Sequence, residues 1–265
     1  MPLCWSSWKP KARLADGPTM HRLLVDSDSL AAGAPTLPPA AAHHLKVLRP
    51  RPDEEIELFD GCGGWRRYRW RNGLEADGPV CFTARPPVST TLFACVTKGS
   101  RWDWTVAKAT ELGVARIVPV VSARTIVRIP PEERMSKRER WRRVAEDAAR
   151  QSDAKWLPVV EAAVDFADSL AMVRETNCFV GALTDPPPLP LLAAVRAGGA
   201  RSSLPPAVYV GPEGDFTPEE LSSLLAVATP TSFGPTVLRA ETAAIFAVSV
   251  LAASCLQTHE QEECT

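Results

Sequence analysis

The residues able to do chemistry in this 265-residue chain fall in three short stretches. In the first, the apolar run Val208-Tyr209-Val210 leads into Gly211-Pro212-Glu213-Gly214, and Thr217, Pro218 and Glu220 follow. Thr217 as N-cap, Pro218 at the first helical position and Glu220 three residues after the cap predict the start of a helix. A strand therefore ends, a glycine loop turns and a helix begins. Glycines at a strand's carboxyl end let a ligand touch the backbone directly; the same shape also serves as an ordinary strand-to-helix turn. The second stretch runs from Phe233-Gly234 to Ala244 and carries Arg239, the single basic residue between Val208 and Thr265 against eight Asp and Glu. A guanidinium is costly to bury unless paired. Either Arg239 pairs with Glu241 and caps the following apolar helix, or it points at an anionic or oxygen-rich ligand, or at charge developing in a reaction. The third stretch is Lys98-Gly99, again after an apolar run, with Lys108 and Glu111 placed to pair on a helix surface.

The elements that must position these residues read as two regions. From Met20 to Arg85, the short β-prone runs His21–Val25, Glu55–Phe59, Trp65–Trp70 and Val80–Thr83 are separated by glycine-rich turns such as Asp60-Gly61-Cys62-Gly63-Gly64. That pattern predicts a small barrel or sandwich. Arg85-Pro86-Pro87 reads as a stiff linker. From Thr90 the pattern is α/β. Leu92–Val96, Ile117–Val121, Cys178–Ala182 and Val208–Val210 are apolar runs, as expected of strands covered on both faces. Trp102, Val106 and Ala109 define one helix face, ending at Gly113, and Trp141, Val144, Ala145 and Ala148 another. Alternating strands and helices predict a mostly parallel sheet. A further apolar helix is predicted to end near Leu256.

Composition excludes several function classes. Lys and Arg number 30 against 31 Asp and Glu, so a uniformly basic nucleic-acid coat is excluded, whereas a local basic face is not. The stretch from Lys98 to Arg150 holds 13 basic against 7 acidic residues. Arg134, Lys137, Arg138, Arg140, Arg142 and Arg143 lie on one predicted helix, as a solvated face or as a phosphate-contacting stripe. Seven cysteines, an odd number with no CxxC spacing, argue against a disulfide framework and a zinc site and suit a reducing compartment. His43-His44 point apart as neighbours do, so no metal is expected. No run reaches the roughly 20 apolar residues of a membrane span. Residues 1–19 lack a secretory signal and read as a disordered or targeting extension, or as a start preceding the true one at Met20.

Taken together the residues resemble the RsmE family of 16S rRNA (uracil-N3)-methyltransferases, within the SPOUT class of enzymes dependent on S-adenosylmethionine (SAM). The matching pieces, in order, are His43-His44-Leu45 with Val47-Leu48-Arg49, Leu58-Phe59-Asp60-Gly61, Lys98-Gly99, Lys108 to Val114, Ser122-Ala123-Arg124, Glu146 to Ser152 with Pro158, Gly211-Pro212-Glu213-Gly214, and Gly234 to Ala243. Each is short; Gly-Pro-Glu-Gly followed by Val-Leu-Arg-Ala-Glu-Thr-Ala is specific.

The resemblance implies an α/β fold in which a trefoil-knotted, mostly parallel sheet domain (87–258) follows a small PUA-like RNA-binding β-barrel (20–86), with a tail at 259–265. It implies SAM as cofactor, small-subunit rRNA as substrate, a homodimer whose sites are completed by the partner, and no membrane. The expected location is cytoplasmic, or chloroplast or mitochondrion if residues 1–19 are a transit segment. Gly211, Gly214, Phe233, Gly234, Val237 and Leu238, with Leu183 as a further candidate, would hold SAM. Arg239 would stabilise charge on the uracil carbonyls, and Glu213 would position the base or accept its proton. Arg22, Arg49, Lys98 and Arg124 would contact RNA. The chain departs from the family pattern in carrying Asp215 where a second glycine is usual. It has Asp153-Ala154 where a Gly-Arg pair is usual, with Lys155 one place on, and the His-His segment is one residue shorter before Val47. The departures bear on RNA contacts and substrate choice more than on SAM. An RNA-binding module that has lost catalysis, or a SPOUT enzyme acting on tRNA or another rRNA position, are the competing expectations.

Overall fold

The computed structural model describes residues 20–86, 89–182, 184–198 and 203–262. The expected extension at 1–19, the candidate Leu183 and residues 263–265 lie outside the described residues. In chain order the first elements are β1 (His21–Leu24), α1 (Ser27–Ala31), α2 (Pro39–Leu48), β2 (Glu55–Phe59), β3 (Gly64–Trp70), β4 (Leu74–Ala76) and β5 (Cys81–Phe82). They form a mixed sheet ordered β1-β2-β3-β4, with β5 also on β3. β1 runs parallel to β2, and the β3 pairings are antiparallel. Leu23, Ile56, Leu58 and Tyr68 bury one sheet face against Leu30 of α1 and Leu45 of α2. The helix α2 was not foreseen in a region of β-prone runs. It begins with Pro39 in its first turn and buries only Ala41 and Leu45, too thin a stripe to register as a helical period.

The chain continues through β6 (Thr91–Cys95), α3 (Ser100–Glu111), β7 (Arg116–Val121), α4 (Pro131–Ser152), β8 (Val159–Val160), β9 (Val164–Asp165), α5 (Phe166–Arg174), β10 (Asn177–Gly181), α6 (Leu191–Arg196), β11 (Pro206–Val210), α7 (Pro218–Leu225), β12 (Thr229–Thr231) and α8 (Ala240–Glu262). The second sheet is ordered β12-β10-β11-β6-β7-β8, with β9 also on β7, and its pairings are all parallel. Its faces are both dry, as continuous apolar strands require. Leu92 and Ala94 of β6 face α3, α4, α6 and α8 together with Val208 and Val210. Phe93 and Cys95 face α5 and α7 with Tyr209, Phe166 and Phe216. Burial holds the Cys95 thiol up to about 12, so it packs as an apolar group. Among the described residues, Cys62, Cys81, Cys95 and Cys178 are free thiols.

Two features of the topology matter for function. From β12 at the sheet edge, the chain returns across the middle: α8 packs on β11, β6, α3 and α6. The sheets are locked together by the glycine-rich turn at Asp60–Gly64, which docks on Lys155–Leu157 through Gly63 N–H to the Lys155 carbonyl and Leu157 N–H to the Gly61 carbonyl, both 2.9 Å. A Cβ on Gly63 would stand 2.7 Å from the Trp156 ring, so the close approach needs glycine there. Beside this turn, Glu57 is 3% exposed and takes both Arg22 (3.2 Å) and Lys155. Asp153 completes the cluster at 2.7 Å from Arg22 and 2.6 Å from Lys155.

Candidate active site

The capping box foreseen at Thr217 is present: its hydroxyl accepts from Glu220 N–H at 3.2 Å, and the Glu220 carboxylate accepts from Thr217 N–H at 3.1 Å. Glu220 also accepts from Ala123 N–H at 2.8 Å, tying the start of α7 to the loop after β7. The Gly211–Gly214 loop between β11 and α7 is therefore held from below and from the side. Asp215 has φ of 60°, the left-handed region where glycine is the usual residue. Asp is among the side chains that tolerate it, and its carboxylate takes the neighbouring Phe216 N–H at 2.7 Å. The departure at this position thus keeps the turn. Asp153 does the same at the end of α4, with φ of 64°.

Three loops leave one edge of the sheet side by side. β10, β11 and β12 are neighbours, so Ala182, Gly211 and Ser232-Phe233-Gly234 emerge from adjacent parallel strands, successive strands about 4.8 Å apart. The Phe233 ring lies over Gly181, where an added Cβ would stand 2.6 Å from it, and against Phe246 of α8 at 6.0 Å between centroids. Gly234 has φ of 128°, with nothing within 4 Å of where its Cβ would be. Leu238 packs against the core, whereas Val237 is 92% exposed. Arg239 directly precedes α8, its carbonyl taking the first-turn Ala243 N–H at 2.8 Å. Its side chain is exposed and makes no ion pair among the described residues, Glu241 included. Of the two roles weighed for it, the structural pair with Glu241 is thus absent among the described residues. The positive end of the α8 dipole adds to its charge.

Glu213 pairs with Arg101 of α3 at 3.5 Å. Arg101 was not singled out in the sequence, because a residue in the first turn of a helix gives no periodic signal. The same edge holds three buried polar atoms that find no hydrogen-bond partner among the described residues: Thr97 Oγ1 just past β6, Trp102 Nε1 at the start of α3 and Glu241 Oε2 at the start of α8. Such orphans are rare and point to groups awaiting an outside partner.

The four expected RNA contacts separate into two pairs. Lys98, at the carboxyl end of β6, and Arg49, the left-handed cap of α2, are exposed. Arg22 has a side chain 13% exposed and committed to Glu57, Asp153 and the Arg150 carbonyl, so it braces the junction between the sheets. Arg124 is exposed, but its Nη1 donates to the Gly214 carbonyl at 3.0 Å and the Phe216 carbonyl at 3.3 Å, clamping the glycine loop. The basic face of α4 is also largely neutralised within the chain. Arg134 pairs with Asp165, Lys137 with Glu133, Arg138 with Glu139, Arg140 with Asp103, and Arg142 with Glu139 and Glu146. Among the described residues no group of His, Cys, Asp and Glu could hold a metal, and no helix is long and apolar enough to cross a membrane.

Residues 84–252 match the family model of the RNA methyltransferase domain. The chain is 31% identical to ribosomal RNA small subunit methyltransferase E of Synechocystis, an alignment covering 86% of this chain and 76% of that one. It is also 31% identical to the Bacillus subtilis protein of the same name, over 62% of this chain and 66% of the other. Its fold superposes on that of ribosomal RNA small subunit methyltransferase E from Neisseria gonorrhoeae bound to S-adenosyl methionine, with a TM-score of 0.73, 26% identity and coverage of 89% and 98%. On the family match over most of its length and on these relatives, the chain belongs to the ribosomal RNA small subunit methyltransferase E family.

Proposed function

We propose that this protein transfers the methyl group of SAM to the N3 atom of one uridine in small-subunit rRNA. The observation that carries the reading is the convergence of three loops at the carboxyl edge of β10, β11 and β12, beside an arginine that no carboxylate among the described residues neutralises. Ligands of open parallel sheets bind at that edge.

The residues present suit SAM. Gly211 would bring its backbone close to an adenine ring, Gly214 and Gly234 shape the turns on either side through bonds to Arg124 and Ser232, and Phe233, Val237 and Leu238 would form the apolar wall, with Leu183 a further candidate outside the described residues. Bound SAM supplies an electrophilic methyl group on a sulfonium. The chain does the rest by holding the acceptor in line and managing a proton. The imide nitrogen of uracil carries a hydrogen and is a weak nucleophile while it does. Arg239 stabilises the negative charge that spreads onto the ring carbonyls as this proton leaves, and Glu213, held by Arg101, accepts the proton or fixes the loop. The uridine must be splayed from its helix to reach this edge, with phosphates fixing the register at Lys98 and Arg49. The five-stranded N-terminal sheet serves as the RNA-binding barrel, and a homodimer covers the exposed apolar side chains Val237, Trp104 of α3 and Phe246 of α8. The protein works where the ribosome is, in the cytoplasm or an organelle.

Mass spectrometry of small-subunit rRNA from a strain lacking the gene tests the reading. One N3-methyluridine is expected to disappear and to return with the intact gene. An unchanged modification profile would refute it.

A further inference from the structure

A second binding feature lies on the opposite edge of the parallel sheet. A concavity of about 250 Å³ is lined by residues that precede β6, β7 and β8, including Ser89, Ala115 and Leu157. It therefore sits at the amino edge, one strand length or roughly 20 Å from the glycine loops. It is smaller than the roughly 300–1,000 Å³ pockets that take whole cofactors, a size that suits one flat ring. Its wall is Trp156, oriented by donation from its indole N–H to the Thr83 carbonyl at 2.9 Å and by an edge-on contact with Phe82 at 5.8 Å. The Arg85 guanidinium lies 5.4 Å from the Trp156 ring centroid, is exposed, and has no ion pair among the described residues. Phe82 is 69% exposed, on a two-residue strand at the edge of its sheet.

The chemistry of this cluster is specific. A fixed indole and an exposed guanidinium line one hollow, with Phe82 bracing the indole edge-on from outside the lining, and form a stacking platform with a positive charge at its mouth. Such a platform suits an unpaired nucleobase with its phosphate. The only carboxylate in the lining, Asp153, is already held by Arg22 and Lys155, so it does not cancel Arg85. An acidic, aromatic-stacking ligand fits; a second copy of the chain, bringing its own uncompensated Arg85, fits less well. We propose that the hollow lined by Trp156 and Arg85 binds an unpaired base of the RNA substrate, away from the methylated uridine. This rests on the reading of the substrate as RNA and adds a second anchor that fixes the RNA across both sheets.

The test uses the full-length protein and intact bacterial small ribosomal subunits lacking the modification. Phe82→Ala and Arg85→Ala change exposed side chains and are expected to leave melting temperature and SAM affinity as in the wild type. Affinity for the subunit should fall roughly 5- to 100-fold when a stacking contact is lost. Ultraviolet crosslinking of subunit RNA carrying 4-thiouridine should label the peptide containing Phe82 or that containing Trp156, and the label should vanish in the variants. Wild-type binding with unchanged variant affinity and crosslinks elsewhere overturns the inference alone. A shift in oligomeric state in the variants, with RNA binding intact, overturns it in favour of a contact between copies. A wild type that binds no small-subunit RNA removes the substrate reading and this inference together.

Discussion

The basic face of α4 and the carboxyl edge of the parallel sheet hold cations in opposite conditions. α4 carries a dense run of arginines, yet Arg134, Arg138, Arg140 and Arg142 each have an acid within ion-pair distance. The carboxyl edge lies in an acidic third of the chain, yet Arg239 and Lys98 stand unpaired there among the described residues. Counting charge along the sequence would send RNA to α4. Counting charge left over after folding sends a ligand to the sheet edge. The difference is decided by tertiary contacts such as Arg134 with Asp165 and Arg140 with Asp103, which join residues on separate elements.

The strongest test of that distinction removes a carboxylate that neutralises cations. Glu57 sits 3% exposed between Arg22 and Lys155. Glu57→Gln leaves two nearly buried cations sharing Asp153 alone and is expected to cost about 3 kcal/mol of stability, the lower end for a broken buried pair. Chemical denaturation checks this. A loss under 1 kcal/mol would show that the junction does not depend on its charges. Next in size is the unpaired cation. Arg239→Ala should lower kcat about 10²- to 10³-fold, as removal of one charge-stabilising donor does, with SAM affinity and melting temperature nearly unchanged. A fall in stability instead would return Arg239 to a structural role.

How far the sequence carried these conclusions varied with the locality of the signal. The helix start at Thr217-Pro218-Glu220 and the buried stripe Trp102, Val106, Ala109 were legible because caps and 3.6-residue periods are local. The strands at Glu55–Phe59 and Val208–Val210 were legible for the same reason, the second starting earlier, at Pro206, in the structure. The short strands β8, β9 and β12 were not, since two or three residues carry no period. Nor was the return of α8 across the middle of the sheet, which depends on the order of strands and not on their pattern. At the site, the glycine loops and Arg239 were found from residue type and spacing. The clamp of Arg124 on the Gly214 carbonyl and the pairing of Glu213 with Arg101 join distant segments and leave no trace in one sequence. The partners of Arg22 were hidden on the same ground: a lone arginine beside a strand looks free until Glu57 and Asp153 are brought to it.

A smaller effect separates exposed cations from committed ones on the RNA side. Lys98→Glu and Arg49→Glu should each weaken RNA binding at low salt and reduce the salt slope by about one counterion. Titrations at several ionic strengths measure it. A slope unchanged from the wild type would remove either residue from the RNA path. SAM affinity is the internal control, because Arg49 lies on the N-terminal sheet's helix and not at the glycine loops.

The smallest expected effect is the sharpest for the comparison itself. Arg140→Gln with Arg142→Gln removes two charges from α4 whose side chains are 57% and 55% exposed. Exposed pairs contribute about 0–1 kcal/mol each, so stability should change little. If α4 were a phosphate stripe, losing two contacts would lower the salt slope by about two counterions, more than either substitution at the sheet edge or on α2. If its guanidiniums are already satisfied by Asp103, Glu139 and Glu146, the slope should not move, because their removal releases no phosphate contact. The same pair of substitutions raises the net negative charge of the chain by two, which on long-range attraction alone would weaken RNA binding slightly at low salt and not at all at high salt. A loss that persists at high salt would therefore mean direct contact, and would reverse the assignment of the two surfaces.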